Sequence, residues 1–447
     1  MPGAAVVVVV VSVAAVAAVM VQGHPMLHYY SGLKHHEDDH VVSVEEPVAQ
    51  TTEEGPASNN LPPIVFVPGL TSAALDVELN NAPSLFGCPH TTEPGEPLRM
   101  WPAQINSTKD YFCFLENLKM WYDPISNQLH NRKGEKVLVE DWGGFEGLPL
   151  FRKVYTPLVK KGYVIGKNLF GAPFDWRGPA RTFPDFFANM TKTIESAYAQ
   201  NNNRKVAIIA ASYGPQFVLA FLHRQSQAWK DKYIHWFIAE SPVWSGCPAS
   251  LLSLVSGYDV SNGTLSLMFS RQVAMETASS FWLLPRAGTT NTTWGKDEPI
   301  AFTPSRNYTS SDYKQLMTDI GFGFRTPAME YTVNDTDLKD FEHPGVNTYV
   351  TYGYNLDTPG TFVWDEDFVH NITGAPPYPR VFNATDTGDG IVPVRSSMRA
   401  WHAWQDDMKQ AKKTLMYKGY NKQQHALCIL STGSGASCWH EVFQCVW

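Results

Sequence analysis

The sequence predicts an α/β fold on a mainly parallel sheet, and three observations predict it. Wholly apolar runs of strand length stop at turn residues, a helix-length stretch separates two of them, and charged residues make up only 17% of the chain. Strands buried on both faces read as continuous apolar runs, and parallel strands need crossover helices between them. The first run is Pro63-Ile64-Val65-Phe66-Val67, stopped by Pro68-Gly69. The second is Val206-Ala207-Ile208-Ile209-Ala210, and the third is Ile234-His235-Trp236-Phe237-Ile238-Ala239. Roughly 15 residues between the last two read as helix, completing a βαβ unit. A later strand-like stretch, Thr414-Leu415-Met416-Tyr417, precedes Gln424-His425.

Composition narrows the class. Aromatic residues reach 13% of the 447, with 14 Trp, which excludes disordered, collagen-like and coiled-coil chains. The net charge of −8 gives no electrostatic footprint for wrapping a polyanion, so no nucleic-acid partner is expected.

The ends point to a compartment. Residues 1–23 read as a signal peptide, with an uncleaved N-terminal anchor as the alternative. The apolar stretch Ala4 to Val21 is longer than a usual signal core and shorter than a usual span, and no Lys or Arg precedes it. Sequons stand at Asn106, Asn189, Asn262, Asn291, Asn307, Asn334, Asn371 and Asn383, which fits the secretory pathway. Residues 24–60 have no apolar period and read as a flexible linker; its His35–His40 cluster, HHEDDH, reads as a solvated tail and not as a metal site. The six cysteines, Cys88, Cys113, Cys247, Cys428, Cys438 and Cys445, allow fifteen pairings. None has the spacing of a zinc or redox site, so they read as structural, and Cys88 with Cys113 is the expected pair, closing a loop full of aromatics.

The second strand runs into Ala210-Ala211-Ser212-Tyr213-Gly214 and then a helix. Strand, sharp turn and helix around a serine with small residues at −2 and +2 is the arrangement that exposes a nucleophilic hydroxyl. Such a hydroxyl needs an imidazole base, itself oriented by a carboxylate, in the chain order Ser, acid, His. Asp389, in Thr387-Gly388-Asp389-Gly390, and His425 supply that order; Asp386 is the rival acid, and His402 and His440 are the rival bases. Two backbone N–H groups are needed for the oxyanion, and Tyr213 and Leu70 stand in the right places, after the serine and after Val67-Pro68-Gly69.

With these residues in view, the chain resembles the lecithin:cholesterol acyltransferase family, which also holds lysosomal phospholipase A and phospholipid:diacylglycerol acyltransferases. The resemblance spans most of residues 61–447 and rests on VPG (Val67 to Gly69), APFDWR (Ala172 to Arg177), AASYG, FLHRQSQAWKDKYI (Phe221 to Ile234), SSFWLLP (Ser279 to Pro285), TPSRNYT (Thr303 to Thr309), PGVNTYVTYGYNLDTP (Pro344 to Pro359) and GDGIVPVRS (Gly388 to Ser396). It implies an α/β-hydrolase with a membrane-binding insertion at 86–130 and a cap at 243–375. It implies Ser212 as nucleophile, Asp389 as acid, His425 as base, and Leu70 and Tyr213 as oxyanion donors, the same five the residues point to. The loop from Cys88 to Cys113 looks like the family's disulfide-closed landing loop, with Trp101, Phe112, Phe114 and Leu115 as expected bilayer contacts; amphipathic rings favour that interface. The chain departs from the family at Ala211, where His is common, at Glu240–Gly246, where Gly-Ala-Pro-Trp-Gly-Gly is common, and at Val350, where close relatives carry a cysteine of a second disulfide.

The expected activity is cleavage of a glycerophospholipid acyl ester through a serine acyl-enzyme, with transfer to a lipid alcohol such as a sterol or to water, at a membrane or lipoprotein surface. No metal or organic cofactor is expected. The expected location is the secretory pathway, secreted or in a lysosomal or vacuolar lumen. A catalytically inactive lipid-binding protein and a soluble serine esterase are the alternatives.

Overall fold

In this computed structural model the described residues are 61–148, 151–258, 267–288, 293–334, 341–368, 379, 381–383 and 386–425. The expected signal peptide, the linker with its histidine cluster, His440, and Cys428, Cys438 and Cys445 lie outside them. So do Asn262, Asn291, Asn371 and the side chain of Asn383, whereas Asn106, Asn307 and Asn334 are exposed and Asn189 is half-buried.

Six strands form the central sheet: β1 (Ile64–Val67), β2 (Leu169–Gly171), β3 (Val206–Ala211), β4 (Ile234–Glu240), β5 (Thr348–Tyr354) and β6 (Leu415–Asn421). Their order is β6-β5-β4-β3-β1-β2, and every neighbouring pair is parallel. From β1 the chain goes outward to β2, returns across β1 to β3, and then builds steadily to the other edge. In parallel sheets a ligand site forms beyond the carboxyl ends of the strands where this direction reverses. The loops leaving β1 and β3 meet there. This is an α/β-hydrolase-like fold, with helices flanking a parallel sheet and smaller antiparallel and mixed sheets attached.

β1, β3 and β4 coincide with the three apolar runs, and all of β1 and β3 is buried. The single helix expected between β3 and β4 is instead two, Gly214–His223 and Gln227–Tyr233. Ser226 causes the break: its hydroxyl accepts the Trp229 N–H at 3.2 Å and caps the second helix. β5 escapes a reading by hydrophobicity because it is built of Thr and Tyr, yet its first four residues are buried.

Between β1 and β2 lies a three-stranded antiparallel sheet, Leu98–Trp101, Leu75–Leu79 and Glu135–Val139, followed in space by helix Thr108–Leu118 and the hairpin Trp121–Asp123/Gln128–His130. Cys88 and Cys113 are disulfide-bonded, with Cα atoms 5.4 Å apart, tying the loop to that helix. Glu116 on the same helix accepts from Ser84 Oγ at 2.8 Å and from the Leu85 N–H at 2.7 Å, which fixes the loop's other end. A second hydrophobic cluster gathers residues between Leu251 and Phe368, with Met120 and Leu129, apart from the cluster around the central sheet. Arg325 bridges it to the hairpin, donating to the carbonyls of Met275 and Met120 at 3.0 Å each. Among the described residues no helix is long and apolar enough to cross a membrane.

Candidate active site

Ser212 sits in the turn between β3 and helix Gly214–His223, with φ at +56°. A non-glycine residue in the left-handed region costs roughly 1–3 kcal/mol and persists only where its surroundings hold it. Here its N–H donates to the Glu240 carbonyl at 2.8 Å, so the adjoining strand end fixes the turn. The first small residue of the turn, Ala210, lies fully buried opposite Ala239.

The other two side chains reach the serine from the far side of the sheet. His425 Nε2 is 2.8 Å from Ser212 Oγ, and its Nδ1 is 2.7 Å from Asp389 Oδ2. A carboxylate only accepts, so Nδ1 carries the proton and Nε2 is left to accept from the serine hydroxyl. Asp389 is buried, and its Oδ1 accepts the N–H groups of Ile391 at 3.1 Å and Val392 at 2.8 Å, which aims Oδ2 at the imidazole. The His425 N–H donates to the Asp389 carbonyl at 2.9 Å, locking the two loops together. β5 makes room for this contact at Gly353, where a Cβ would lie 2.1 Å from the Gln423 carbonyl oxygen and 2.7 Å from Asp389 Cβ. Thr358 Oγ1 adds a brace by accepting the Gly390 N–H at 3.0 Å. Neither Gly353 nor Thr358 is singled out by the sequence, since their role depends on a crossing of two loops distant in the chain.

The loop leaving β1 runs directly against the hydroxyl. A Cβ on Gly69 would lie 3.0 Å from Ser212 Cβ and 3.6 Å from its Oγ, tighter than ordinary contact, so the glycine lets this loop run close to the serine. Tyr213, the other expected donor, is fully buried, and its hydroxyl donates to the Gly178 carbonyl at 2.8 Å. Of the rivals, His402 is exposed on helix Arg399–Gln410, and the side chain of Asp386 lies outside the described residues. Among the described residues no group of three or more His, Cys, Asp or Glu is placed to hold a metal ion. Cys247 is buried and, among the described residues, has no disulfide partner.

The four side chains expected to touch a bilayer are distributed unevenly. Phe114 is buried and stacks on Phe269 at 5.6 Å, while Phe112 and Leu115 are half-buried against the core. Trp101 faces inward, its Nε1–H donating to the Thr71 carbonyl at 2.7 Å. The large apolar side chains of this region that meet solvent are Leu85, 90% exposed, Phe86, 47% exposed, Leu98, Trp121 and Ile125, with Phe86 stacked on Phe112 at 4.4 Å.

Glu240 adds an unusual feature behind the serine. It ends β4 between Ala211 and Thr351, is fully buried, and neither carboxyl oxygen has a hydrogen-bond partner among the described residues. Burial pushes its pKa up from an ordinary 4.5 to about 8. Between those values the unfolded chain releases a proton that the fold retains, so this group makes stability fall as pH rises from 4.5 to 8 and adds no further slope above 8. Glu240→Gln removes the titration. Thermal midpoints of both proteins at pH 4, 6 and 8 are expected to diverge, the parent losing several degrees relative to the variant; parallel curves would contradict the buried neutral acid.

Comparison with known proteins agrees with this architecture. The family model for lecithin:cholesterol acyltransferase matches residues 100–337. Phosphatidylcholine-sterol acyltransferase of Gallus gallus is 29% identical over 372 residues, covering 80% of this chain and 86% of its own. Lysosomal phospholipase A and acyltransferase of Mus musculus is 30% identical over 367 residues, covering 77% of this chain and 82% of its own. Lecithin-cholesterol acyltransferase-like 1 of Arabidopsis thaliana is 26% identical over 356 residues, covering 72% of this chain and 80% of its own. Matched by these sequences over most of its length, and carrying a strand-turn-helix serine within hydrogen-bond reach of a buried Asp–His pair, the chain belongs to the lecithin:cholesterol acyltransferase family.

Proposed function

We propose that the protein is a serine O-acyltransferase or phospholipase A acting on glycerophospholipids, working in the secretory pathway or in a lumen it feeds. The observation that carries this reading is the hydrogen-bonded line Ser212–His425–Asp389 at the carboxyl end of the sheet. Ser212 Oγ attacks the ester carbonyl as its proton passes to His425; Asp389 stabilises the imidazolium, and the N–H groups of Leu70 and Tyr213 hold the oxyanion. Collapse expels the lysophospholipid oxygen, which takes the proton from His425. Water or a lipid alcohol then gives its proton to His425 and attacks the acyl-enzyme, and collapse breaks the bond to Ser212 Oγ, which takes the proton back from His425 as the fatty acid or new ester leaves. No step needs a metal or cofactor. The relatives named for sterol transfer and for phospholipase A action support both outcomes, and residues 243–375, read as a cap, would decide between them by how well they exclude water.

A phospholipid is drawn from an aggregate, so the enzyme must land on one. We assign the landing to the disulfide-closed insertion, 86–130 with the adjoining Leu85, and within it to Leu85 and Phe86, the exposed apolar pair next in sequence to the disulfide. Replacing both with Ser is expected to weaken flotation with phosphatidylcholine liposomes by about tenfold, since each buried apolar side chain is worth about 1.5–3 kcal/mol at full burial and these are only partly inserted. Hydrolysis of a water-soluble short-chain ester should stay within twofold, and equal losses in both assays would refute the landing role.

The deciding experiment incubates the purified protein with phosphatidylcholine liposomes, with and without a sterol or ceramide, and identifies all lipid products by mass spectrometry. Esterified acceptor with lysophospholipid is the result expected of a transferase. Free fatty acid with lysophospholipid marks a phospholipase, and the absence of any product overturns the reading.

A further inference from the structure

The loop that offers the Leu70 N–H is held in place by two indoles. Its turn is strained: Thr71 has φ at +57°, and the Leu70 carbonyl is occupied by the hydroxyls of Thr71 at 2.7 Å and Ser72 at 3.3 Å. Trp101 Nε1–H donates to the Thr71 carbonyl at 2.7 Å, and Trp176 Nε1–H donates to the Ala73 carbonyl at 3.1 Å. The two rings meet edge to face, with centroids 5.3 Å apart at 71°. Each comes from a different element: Trp101 ends the edge strand paired with Leu75, and Trp176 lies in the segment after β2. Behind Trp101, Phe114 and then Phe269 continue the contact series at 6.3 and 5.6 Å.

We propose that Trp101 and Trp176 are positioning residues for the acyl-transfer reaction, fixing through their N–H groups the turn that aims the Leu70 N–H at the developing oxyanion. The inference rests on the serine acyl-transfer reading above. A left-handed peptide at Thr71 is free to rotate its carbonyl unless something holds it. An oxyanion donor stabilises the transition state only when its dipole is oriented beforehand, and loss of one such donor typically costs ~10²–10³ in kcat. Two side-chain donors on successive odd carbonyls of the loop, braced ring against ring, supply that orientation from outside the loop. Trp101 therefore serves chemistry on every substrate, soluble or aggregated, and its contribution does not require a lipid surface.

The test replaces Trp101 by Phe, which keeps an aromatic ring and removes the N–H, and makes the same change at Trp176. On a water-soluble short-chain ester kcat is expected to fall ~10- to 100-fold with KM within about threefold, the mark of a transition-state interaction. Labelling of Ser212 by a fluorophosphonate, whose phosphoryl oxygen needs the same donors, should slow in parallel, while liposome flotation stays at the parent level. If Trp101→Phe does not fold, the benzothienyl-alanine isostere, with sulfur in place of the N–H, gives the same comparison without changing ring shape. Unchanged kcat and labelling in a folded variant would overturn the proposal, as would a loss confined to flotation. A parent protein that neither reacts with the fluorophosphonate nor cleaves the ester would overturn the acyl-transfer reading itself, which separates that failure from this one.

Discussion

Ser212→Ala is expected to lower ester cleavage by about 10⁴- to 10⁶-fold, the range seen when a triad nucleophile is removed and only oxyanion and binding contributions remain. The geometry makes the expectation sharp. His425 Nε2 is hydrogen-bonded to Ser212 Oγ at 2.8 Å, and among the described residues no other hydroxyl is bonded to it. The substitution removes one oxygen and leaves the +56° turn with the same Cβ, so folding and liposome flotation should match the parent. Initial rates on a soluble ester and on phosphatidylcholine liposomes check the loss, and fluorophosphonate labelling should vanish with it. Retention of even a tenth of the parent rate would dismiss Ser212 as nucleophile.

The parts of this site that the sequence reveals are those carried by local patterns. Strand, small-residue turn and helix identify Ser212, and the chain order Ser, Asp, His narrows the partners to Asp389 and His425 without fixing any distance. The βαβ reading likewise rests on runs whose apolar character is unbroken, as in β1 and β3. β2, with three residues, and β5, with its Thr and Tyr, carry no such run and become strands only because neighbours pair with them. The same holds for side chains. Trp101 reads as a membrane ring in sequence because rings cluster around one disulfide, yet its indole N–H faces Thr71; composition reports how many rings there are and not which way each points. Leu85 and Phe86, which do face solvent, precede the aromatic cluster and carry no pattern to mark them. Glu240 is visible as a departure from the family, but that its carboxyl is buried with no hydrogen-bond partner among the described residues emerges only in three dimensions, where β4 lies between β3 and β5.

Asp389→Asn is expected to cost about 10⁴-fold in kcat with KM nearly unchanged, by the tautomer argument. In the parent, Asp389 Oδ2 accepts from His425 Nδ1 and so leaves Nε2 free to receive the serine proton. An amide can turn its NH₂ toward Nδ1, which then becomes the acceptor and places the ring proton on Nε2, facing a hydroxyl that must lose its own proton. The backbone donors of Ile391 and Val392, at 3.1 and 2.8 Å from Oδ1, enforce that orientation, because they need an acceptor there and hold the amide oxygen toward themselves. The amide nitrogen is thereby left at the Oδ2 position, against the imidazole. The defect is therefore in proton transfer and not in substrate binding, and raising the pH should restore part of the rate as base from solvent competes with the mis-set imidazole. Steady-state kinetics of Asp389→Asn between pH 5 and 9, beside Asp386→Asn as the rival acid, decide the assignment. A large loss in the second variant with little in the first would move the orienting role to Asp386.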